Sequence, residues 1–292
     1  MKKKKNLGQI CLHIVFILIT VMYVLPLLMV ISVSFTDETT LIQSGYRLIP
    51  KVFSTAAYEL ALRNPMKIIR AYGVTIFFTL AATLLSTVVM AMLAYPMSRP
   101  NFIWKKQLNF FVYFTMLFSG GMVPTYILLT SVLHLDDKIL VYILPGLVSA
   151  YNVMIIRTNY QSIPDELIEA AKIDGAKELY ICFKIVVPLA KPGIASVAFL
   201  FLVTKWNDWM TSMLYIRDPD LYSLQYLLQR LIREVEYLKQ ATEMGSYVGD
   251  AVVPTETLRF AMAIIAAGPV LVAFPFFQKY FTKGMTLGGV KG

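Results

Sequence analysis

Six long apolar runs, separated by polar segments, organise the chain. They cover residues 7–35, 72–97, 108–133, 139–156, 193–216 and 258–277. A helix needs about 20 predominantly apolar residues to cross the hydrocarbon core of a bilayer, and every run approaches or exceeds that length. The pattern therefore predicts an all-α integral membrane protein with six transmembrane helices.

The composition agrees with an integral membrane protein and excludes an ordinary soluble enzyme. Hydrophobic residues make up 57% of the 292 positions and charged residues only 15%. The formal net charge of +9 would also suit a nucleic-acid-binding protein, but the Lys and Arg residues lie between apolar runs and not in one patch. Membrane orientation explains that distribution, so we expect a lipid bilayer, and no nucleic acid, as a partner.

The ends of the chain indicate its orientation. Residues 1–6 carry four lysines before the first run, and Lys279, Lys283 and Lys291 follow the last. A secretory signal peptide also begins with a basic cap, but the first run is too long for one and is interpreted as an uncleaved span. Because basic residues favour the cytoplasmic side, we expect both termini in the cytoplasm of a bacterial cell. This order predicts extracytoplasmic segments at 36–71 and 217–257, a cytoplasmic loop at 159–191 and a cytoplasmic tail at 279–292.

Glycine and proline interrupt two of the runs. Ser119-Gly120-Gly121 and Pro124 lie in the third run, and Pro145-Gly146 lies in the fourth. Neighbouring helices can satisfy the backbone groups that such breaks release. We therefore interpret them as kinks within continuous spans, and a direct role in solute passage is the alternative for the break in the third run.

The second extracytoplasmic segment has two parts. Its first part predicts an amphipathic helix on the outer surface, because apolar residues recur at helical spacing between charged ones. These residues are Leu224, Leu227, Leu228, Leu231, Val235 and Leu238. Residues 244–254 are rich in glycine and small polar residues, which predicts a flexible tip.

No catalytic residue, cofactor or metal site is predicted. His134, Asp136 and Asp137 are metal-binding residue types, but their position in a short turn favours a solvated outer loop. Cys11 and Cys182 have no neighbouring ligand at metal-binding spacing and are not expected to form a disulfide.

The fifth run contains Lys205-Trp206-Asn207-Asp208-Trp209, with ionisable groups at membrane depth. One interpretation is structural, since Lys205 and Asp208 stand three apart on a helix and can neutralise one another. The other is a substrate pathway, in which Trp206 and Trp209 stack on a sugar while Asn207 and Asp208 bind its hydroxyl groups. The sequence leaves both open.

The loop at 159–191 predicts a helix-turn-helix unit, called the bracket below. Ser162, Pro164 and Asp165 mark the start of its first helix. Ala171 and Gly175, four residues apart, leave two nearly bare backbone patches on one face, and Gly175 permits the turn. The second helix carries an apolar stripe through Leu179, Cys182, Phe183 and Val186 until Pro188 and Pro192 end it.

One string in the bracket resembles the signature loop of permease subunits in bacterial ATP-binding-cassette (ABC) importers. It consists of Glu169, Ala170, Ala171, Gly175, Ile185 and Pro188. In that family the loop docks into a groove on the ATPase subunit. The resemblance therefore implies that Glu169, Ala170, Ala171, Asp174, Gly175, Ile185 and Pro188 couple this chain to an ATPase. Val187 departs from the usual Leu, an apolar exchange that should not disturb docking.

Further strings resemble the carbohydrate branch, in particular the maltose-type second permease and an oligosaccharide sub-branch. They include Ile163-Pro164, Lys191-Pro192, Trp206-Asn207, Phe118-Ser119-Gly120-Gly121 and the ending Val290-Lys291-Gly292. The resemblance implies a six-span type I ABC importer permease with a cytoplasmic coupling helix. It also implies three kinds of partner: a second homologous permease, two cytoplasmic ATPase subunits and an extracytoplasmic solute-binding protein that the tip at 244–254 would approach. The tail at 282–292 would contact the ATPase pair.

The sequence lacks a phosphate-binding Gly-x4-Gly-Lys-Ser/Thr loop, so ATP and Mg are expected on the partner ATPase, with no cofactor on this chain. A secondary transporter would use paired acids within its spans, and a membrane enzyme would need a nucleophile or metal constellation. Neither pattern is present in the sequence. A permease of the same machinery for peptides, amino acids or other small solutes remains the first alternative to a sugar importer, and a secondary transporter is a less favoured one.

Overall fold

The computed structural model describes residues 7–244 and 254–287. The described chain is helical apart from loops and a single isolated bridge between Thr36 and Phe53. The helices are α1 (Leu7–Ser34), α2 (Glu38–Ser44), α3 (Ala56–Ala61), α4 (Pro65–Ser98), α5 (Lys105–Leu117), α6 (Met122–Ile127), α7 (Leu140–Ile143), α8 (Ala150–Gln161), α9 (Asp165–Ile173), α10 (Glu178–Ile181), α11 (Val187–Leu189), α12 (Lys191–Trp206), α13 (Met210–Tyr215), α14 (Leu224–Glu243) and α15 (Thr255–Leu287). Short π-helical turns follow α6 (Leu128–Val132) and join α10 to α11 (Cys182–Val186), and a 3-10 turn spans Pro219–Leu221.

Three helices are long and apolar enough to cross a membrane: Gly8–Ser34, Pro65–Ser98 and Thr255–Phe276. They coincide with the first, second and last predicted spans. The second begins earlier than predicted, because Pro65 starts the helix inside the segment assigned to the outer loop. Proline suits a first helical position, where its missing N–H would have no intrahelical partner.

The third predicted span is broken, which corrects the kink interpretation. Lys105–Leu117 and Met122–Val132 meet at an angle of 109°. Phe118 is extended, and Gly121 has a φ of 87°, a left-handed value that glycine adopts without steric cost. The chain therefore turns sharply between α5 and α6.

The fourth predicted span is also divided. Only four residues, Leu140–Ile143, form α7, and a turn with Gly146 at φ 76° precedes α8. The fifth predicted span, 193–216, is split between α12, which ends at Trp206, and α13, which begins at Met210. The 80° bend between Glu178–Leu189 and Lys191–Trp206 lies before that span, where the bracket meets α12. The described chain thus contains three candidate spans, or up to five if each bent pair counts as one.

The chain forms two compact units: Met1–Ile68 with Leu227–Gly268, and Ile69–Tyr226 with Pro269–Gly292. In the first unit the buried Glu38 carboxylate accepts hydrogen bonds from the Glu256 and Thr257 backbone N–H groups, both at 2.9 Å. These donors belong to the first turn of α15 and have no partner within the helix. Glu38 therefore caps α15, and the 36–71 segment holds the last helix in place.

The second unit has two buried cores that position the bracket and the ends of the spans. One core joins the end of α4 to α8, α9 and the helices from α10 to α12, and its fully buried members include Met90, Tyr160 and Ile181. The other joins the first half of α4 to α7 and α13, and its centre is the stacked ring pair of Phe78 and Tyr142, 4.3 Å apart.

The predicted amphipathic helix is confirmed as α14. Leu224, Leu227, Leu228 and Val235 are buried on it, while Arg230 is exposed. Leu238 departs from the predicted stripe because it is exposed. The predicted basic N-terminus at 1–6, the tip apart from its first and last residues, and the tail from 288 onward lie outside the described residues.

Candidate functional site

The bracket is present as predicted, with α9 and α10 joined by a tight turn. The Gly175 N–H donates to the Lys172 carbonyl at 3.0 Å and the Ala176 N–H donates to the Ala171 carbonyl at 2.9 Å. This pair of bonds, with Gly175 at φ 79°, is a Schellman motif, which ends a helix and satisfies its last carbonyls. Gly175 therefore adopts the conformation of this turn without the steric cost that other residues have there.

One residue of the predicted helix start has a different role. The Ser162 hydroxyl donates to the Asn159 carbonyl at 2.8 Å, so Ser162 closes α8 and does not cap α9. The first helix of the bracket begins at Asp165, after Pro164. Asp165 and Glu166 in its first turn and Lys172 in its last complement the helix dipole.

The two faces of α9 differ in exposure. Ile168 is 4% exposed in the core, and Ala171 and Ala176 pack against the same core. Glu169 and Ile173 face outward, and Ile173 is 87% exposed. A large apolar side chain presented outside a packed core is typical of a surface that binds a partner.

Four of the predicted coupling residues line one shallow cavity. Its volume is about 530 Å³, and its lining is Ala171, Asp174, Gly175, Ala176, Lys177, Tyr180 and Ile185. The other three predicted residues stand outside it: Glu169 and Ala170 are exposed on α9, and Pro188 is exposed on α11. The turn therefore brings residues from both helices of the bracket to one surface.

The apolar stripe of the second helix is only half buried. Cys182 and Val186 lie in the core, whereas Leu179 and Phe183 are exposed. Leu179 and Phe183 line a second cavity of about 450 Å³ against the end of α4. The helix also continues past Pro188 to Leu189, because the π-helical turn changes the hydrogen-bond register before the proline.

Arg99, directly after α4, fixes the base of the bracket. It is 8% exposed, and its Nη2 donates to the Tyr160 carbonyl at 3.1 Å. Its Nη1 lies 3.5 Å from Asp165 Oδ1. This distance is too long for a good hydrogen bond but short enough for electrostatic attraction between the two charges. Arg157 Nε donates to the Met97 carbonyl at 3.1 Å. The end of α4 is thus tied to both α8 and α9.

A second link holds the other helix of the bracket. The Tyr95 hydroxyl donates to Glu178 Oε2 at 2.6 Å, and Lys172 Nζ lies 2.7 Å from Glu178 Oε1. The Lys172–Glu178 pair is half exposed and contributes little. The bond from the mostly buried Tyr95 is the stronger link, because an unpaired hydroxyl there would be costly.

We expect Glu178→Ala to loosen the bracket without unfolding the protein. It removes the acceptor of the Tyr95 hydroxyl, and a lost bond to a charged group costs about 1.5–3 kcal/mol. Hydrogen exchange at residues 165–189 should accelerate by about tenfold or more. Glu166→Ala, which removes an exposed carboxylate from the same unit, is the matched control. Equal exchange in the two variants would contradict the assigned link.

Sequence reasoning missed Tyr95, Arg99 and Arg157 as parts of the site. Their partners are about 60 or more positions away along the chain, so no local pattern reports them. The available signal was that Arg99 and Arg157 directly follow apolar runs, where basic residues mark the cytoplasmic end of a span.

The structure does not pair Lys205 with Asp208, which corrects the structural interpretation of that segment. Lys205 Nζ donates to the Tyr142 carbonyl at 2.7 Å and to the Pro145 carbonyl at 3.3 Å. Asp208 Oδ1 instead accepts from the Thr211 N–H at 3.0 Å, so Asp208 caps α13. Lys205 thus satisfies carbonyls that the break after α7 releases.

The predicted pathway residues are separated by the end of α12. Trp206 is 5% exposed and packs near Tyr72, with ring centroids 6.4 Å apart. Asn207 is exposed and accepts from Gln225 Nε2 at 3.2 Å, and Trp209 is half-buried. The two tryptophans therefore differ in exposure, and the pathway interpretation of residues 206–209 stays a prediction.

The turn at His134 and Asp137 has the structure expected of a loop. Both residues have positive φ, and Asp137 Oδ1 accepts from the N–H groups of Asp218 at 2.9 Å and Arg217 at 2.8 Å. These bonds hold the pKa of Asp137 below its ordinary value. Within residues 7–244 and 254–287, no group of three His, Cys, Asp or Glu residues is arranged to hold a metal.

Comparison with known proteins identifies relatives along the whole chain. A polygalacturonan/rhamnogalacturonan transport system permease protein of Bacillus subtilis is 37% identical over 290 residues, covering 99% of this chain and 100% of that protein. An arabinooligosaccharides transport system permease protein of Halalkalibacterium halodurans is 29% identical and covers 96% of both chains.

A solved structure shares the fold. It is the crystal structure of a bacterial ABC transporter involved in the import of the acidic polysaccharide alginate, and it matches with a TM-score of 0.77 at 24% identity. The match covers 96% of this chain and 99% of that chain.

The family model described as binding-protein-dependent transport system inner membrane component matches residues 87–287, which include the whole bracket. This match spans more than half of the chain, and the Bacillus subtilis relative extends the similarity to nearly all of it. The chain therefore belongs to the family of inner membrane components of binding-protein-dependent transport systems.

Proposed function

We propose that this chain is the permease subunit of an ATP-driven importer for oligosaccharides. The family supplies the transport role, and the names of the relatives concern polygalacturonan, rhamnogalacturonan, arabinooligosaccharides and the acidic polysaccharide alginate. The observation that carries the proposal is the bracket, which is anchored at its base and exposes Glu169, Ile173 and Gly175 at its outer surface.

The complex that we propose contains a second related permease, two ATPase subunits that hold ATP and Mg, and an extracytoplasmic solute-binding protein. In this arrangement both termini and the bracket face the cytoplasm. The tip at 244–254 approaches the binding protein, and the tail at 282–292 contacts the ATPase pair.

In the proposed mechanism, closure of the ATPase dimer around ATP moves the groove that holds Glu169, Ala170, Ala171, Asp174 and Gly175. Arg99 and Tyr95 connect the bracket to α4. The π-helical turn with Ile185 and α11 with Pro188 connect it to α12, so the movement reaches the spans. The coupling requires that the docked bracket has different interaction energies with the two ATPase states. Trp206, Asn207, Asp208 and Trp209 stand at the far end of α12, along the proposed pathway.

Reconstitution tests this function directly. The complete complex is placed in lipid vesicles with its binding protein, and ATP hydrolysis and solute uptake are measured with oligogalacturonides, arabinose oligosaccharides, peptides and amino acids. We expect oligosaccharides alone to stimulate both activities. Stimulation by peptides or amino acids would contradict the assignment of sugars as the solute and would support the alternative permease. Uptake that does not require ATP would contradict the assignment as an ATP-driven importer.

A further inference from the structure

Helix α4 carries a threonine at every fourth position along one edge: Thr75, Thr79, Thr83 and Thr87. Thr75 Oγ1 accepts the Leu224 N–H at 2.8 Å. The hydroxyl oxygens of Thr79, Thr83 and Thr87 are shielded from solvent and have no hydrogen-bond partner among the described residues. Thr79 is 2% exposed and Thr83 is 8% exposed. Thr79, Thr83 and Thr87 are together called the hydroxyl track below.

The hydroxyl track differs from other threonines in the helices of this chain. Thr20, Thr158 and Thr204 each donate to the carbonyl four residues earlier, at 2.7–2.9 Å. That bond is the usual way for a hydroxyl inside a helix to avoid being unpaired. A buried hydroxyl without a partner is costly, so the hydroxyl track retains unused capacity for hydrogen bonds.

Thr79, at one end of the track, lines a cavity. A space of about 150 Å³ is lined by Ile76, Thr79, Leu80, Leu202, Trp206, Pro269 and Val270. The lining is largely apolar, and both Thr79 and the aromatic Trp206 contribute to it. An apolar aromatic surface with a few placed polar groups is the usual composition of a small-molecule site. A sugar ring offers matching chemistry, because its C–H face is apolar and its rim carries hydroxyl groups.

The spacing also suits a chain of sugar units. Positions four apart on a helix are separated by about 6 Å along its axis. This separation is close to the length of one monosaccharide in an oligosaccharide. Successive sugar units can therefore meet successive hydroxyls of α4.

We propose that Thr79, Thr83 and Thr87 form a binding track for the hydroxyl groups of an oligosaccharide, entered beside Trp206. The proposal rests on the function proposed above and deepens it, because it assigns direct substrate contact to this chain. In the structure Leu202 and Trp206 of α12 and Pro269 and Val270 of α15 line the same cavity as Thr79, and the three track oxygens are shielded from solvent. Movement of α12 during the transport cycle would expose the track.

The test is to replace each of the three threonines by valine, which keeps the shape of the side chain and removes the hydroxyl. Uptake of the stimulating oligosaccharide is measured in vesicles that contain the complete complex. We expect each single variant to lower uptake at subsaturating solute by about fivefold, the effect of one lost hydrogen bond, and the triple variant to lower it further. The thermal stability of the complex should not fall, because no intramolecular hydrogen bond is removed.

Two further variants separate substrate contact from packing. Thr204→Val removes a hydroxyl that is already bonded to the Leu200 carbonyl on α12, so uptake should be unchanged. Thr79→Ser restores the hydroxyl without the methyl group and should recover most of the uptake. If the wild-type complex imports oligosaccharide, two results would contradict the track. One is normal uptake by the triple valine variant, and the other is an equal loss of uptake in Thr79→Ser and Thr79→Val. A wild-type complex that no oligosaccharide stimulates would instead contradict the proposed function, and the track with it.

Discussion

Gly175→Asp is expected to leave the protein folded in the membrane and to abolish solute-stimulated ATP hydrolysis and uptake by the complex. Gly175 has a φ of 79°, and a Cβ at this position would meet no atom within 4 Å. Aspartate is one of the few non-glycine residues that enter the left-handed region, so the cost to the fold is about 1–2 kcal/mol. The new carboxylate would stand on the surface where we propose that the ATPase docks, and an unpaired buried charge there would prevent close contact.

A matched control is available in the same chain. Gly45 also has a left-handed φ, of 69°, and equally open space around its Cβ position, but it lies in the 36–71 segment. Gly45→Asp adds the same charge away from the bracket and imposes backbone strain at least as great, because Gly45, with a ψ of −175°, lies in a region that only glycine adopts readily. We expect it to retain uptake, measured in vesicles at equal protein content. If Gly175→Asp also transported normally, the bracket would not be the coupling element.

Lys205→Met is expected to destabilise the protein strongly. The Lys205 ammonium donates to the Tyr142 and Pro145 carbonyls, and Met is of similar length but donates no hydrogen bond. Two carbonyls at the broken span would then lose their donor, and that of the buried Tyr142 would have no solvent to replace it. The 2.7 Å bond, to a charged donor, contributes about 1.5–3 kcal/mol, and the 3.3 Å bond is longer than usual and adds about 0.5–1 kcal/mol, so we expect a loss of about 2–4 kcal/mol. Thermal unfolding of the purified complex in lipid nanodiscs measures this change.

Lys138→Met provides the comparison for this prediction. Lys138 Nζ also donates to a backbone carbonyl, that of His134 at 2.7 Å, but in an exposed turn. Water can replace that bond, so the unfolding temperature should change little. Equal effects of the two substitutions would show that Lys205 does not support the broken span.

The long apolar helices were predictable from composition and length alone. Helices α1, α4 and α15 each contain enough consecutive apolar residues to cross a bilayer, and no distant contact is needed to recognise them. The breaks were not predictable in the same way. Gly121 and Gly146 are consistent with either a kink or a full turn, and the outcome depends on partners such as Lys205, which is about 60 residues from Pro145 in sequence.

The bracket was predictable because its determinants are local. The Schellman turn is set by Gly175 and its immediate neighbours, and the core-facing positions Ile168 and Ala171 repeat at helical spacing. Its attachment to α4 was not predictable, since Arg99 and Tyr95 act through contacts between distant parts of the chain. Sequence patterns thus identify elements, whereas long-range hydrogen bonds determine how those elements are held.

The most direct measurement is photo-crosslinking from the bracket in the assembled complex. A photoreactive amino acid is placed at Ile173, whose side chain is 87% exposed beside the turn, and at Tyr23, which is 73% exposed on α1, as a membrane-facing control. Our account predicts that position 173 captures the ATPase subunit and position 23 does not. Capture of lipid alone at position 173, or labelling of that position only by reagents supplied from outside the cell, would contradict it.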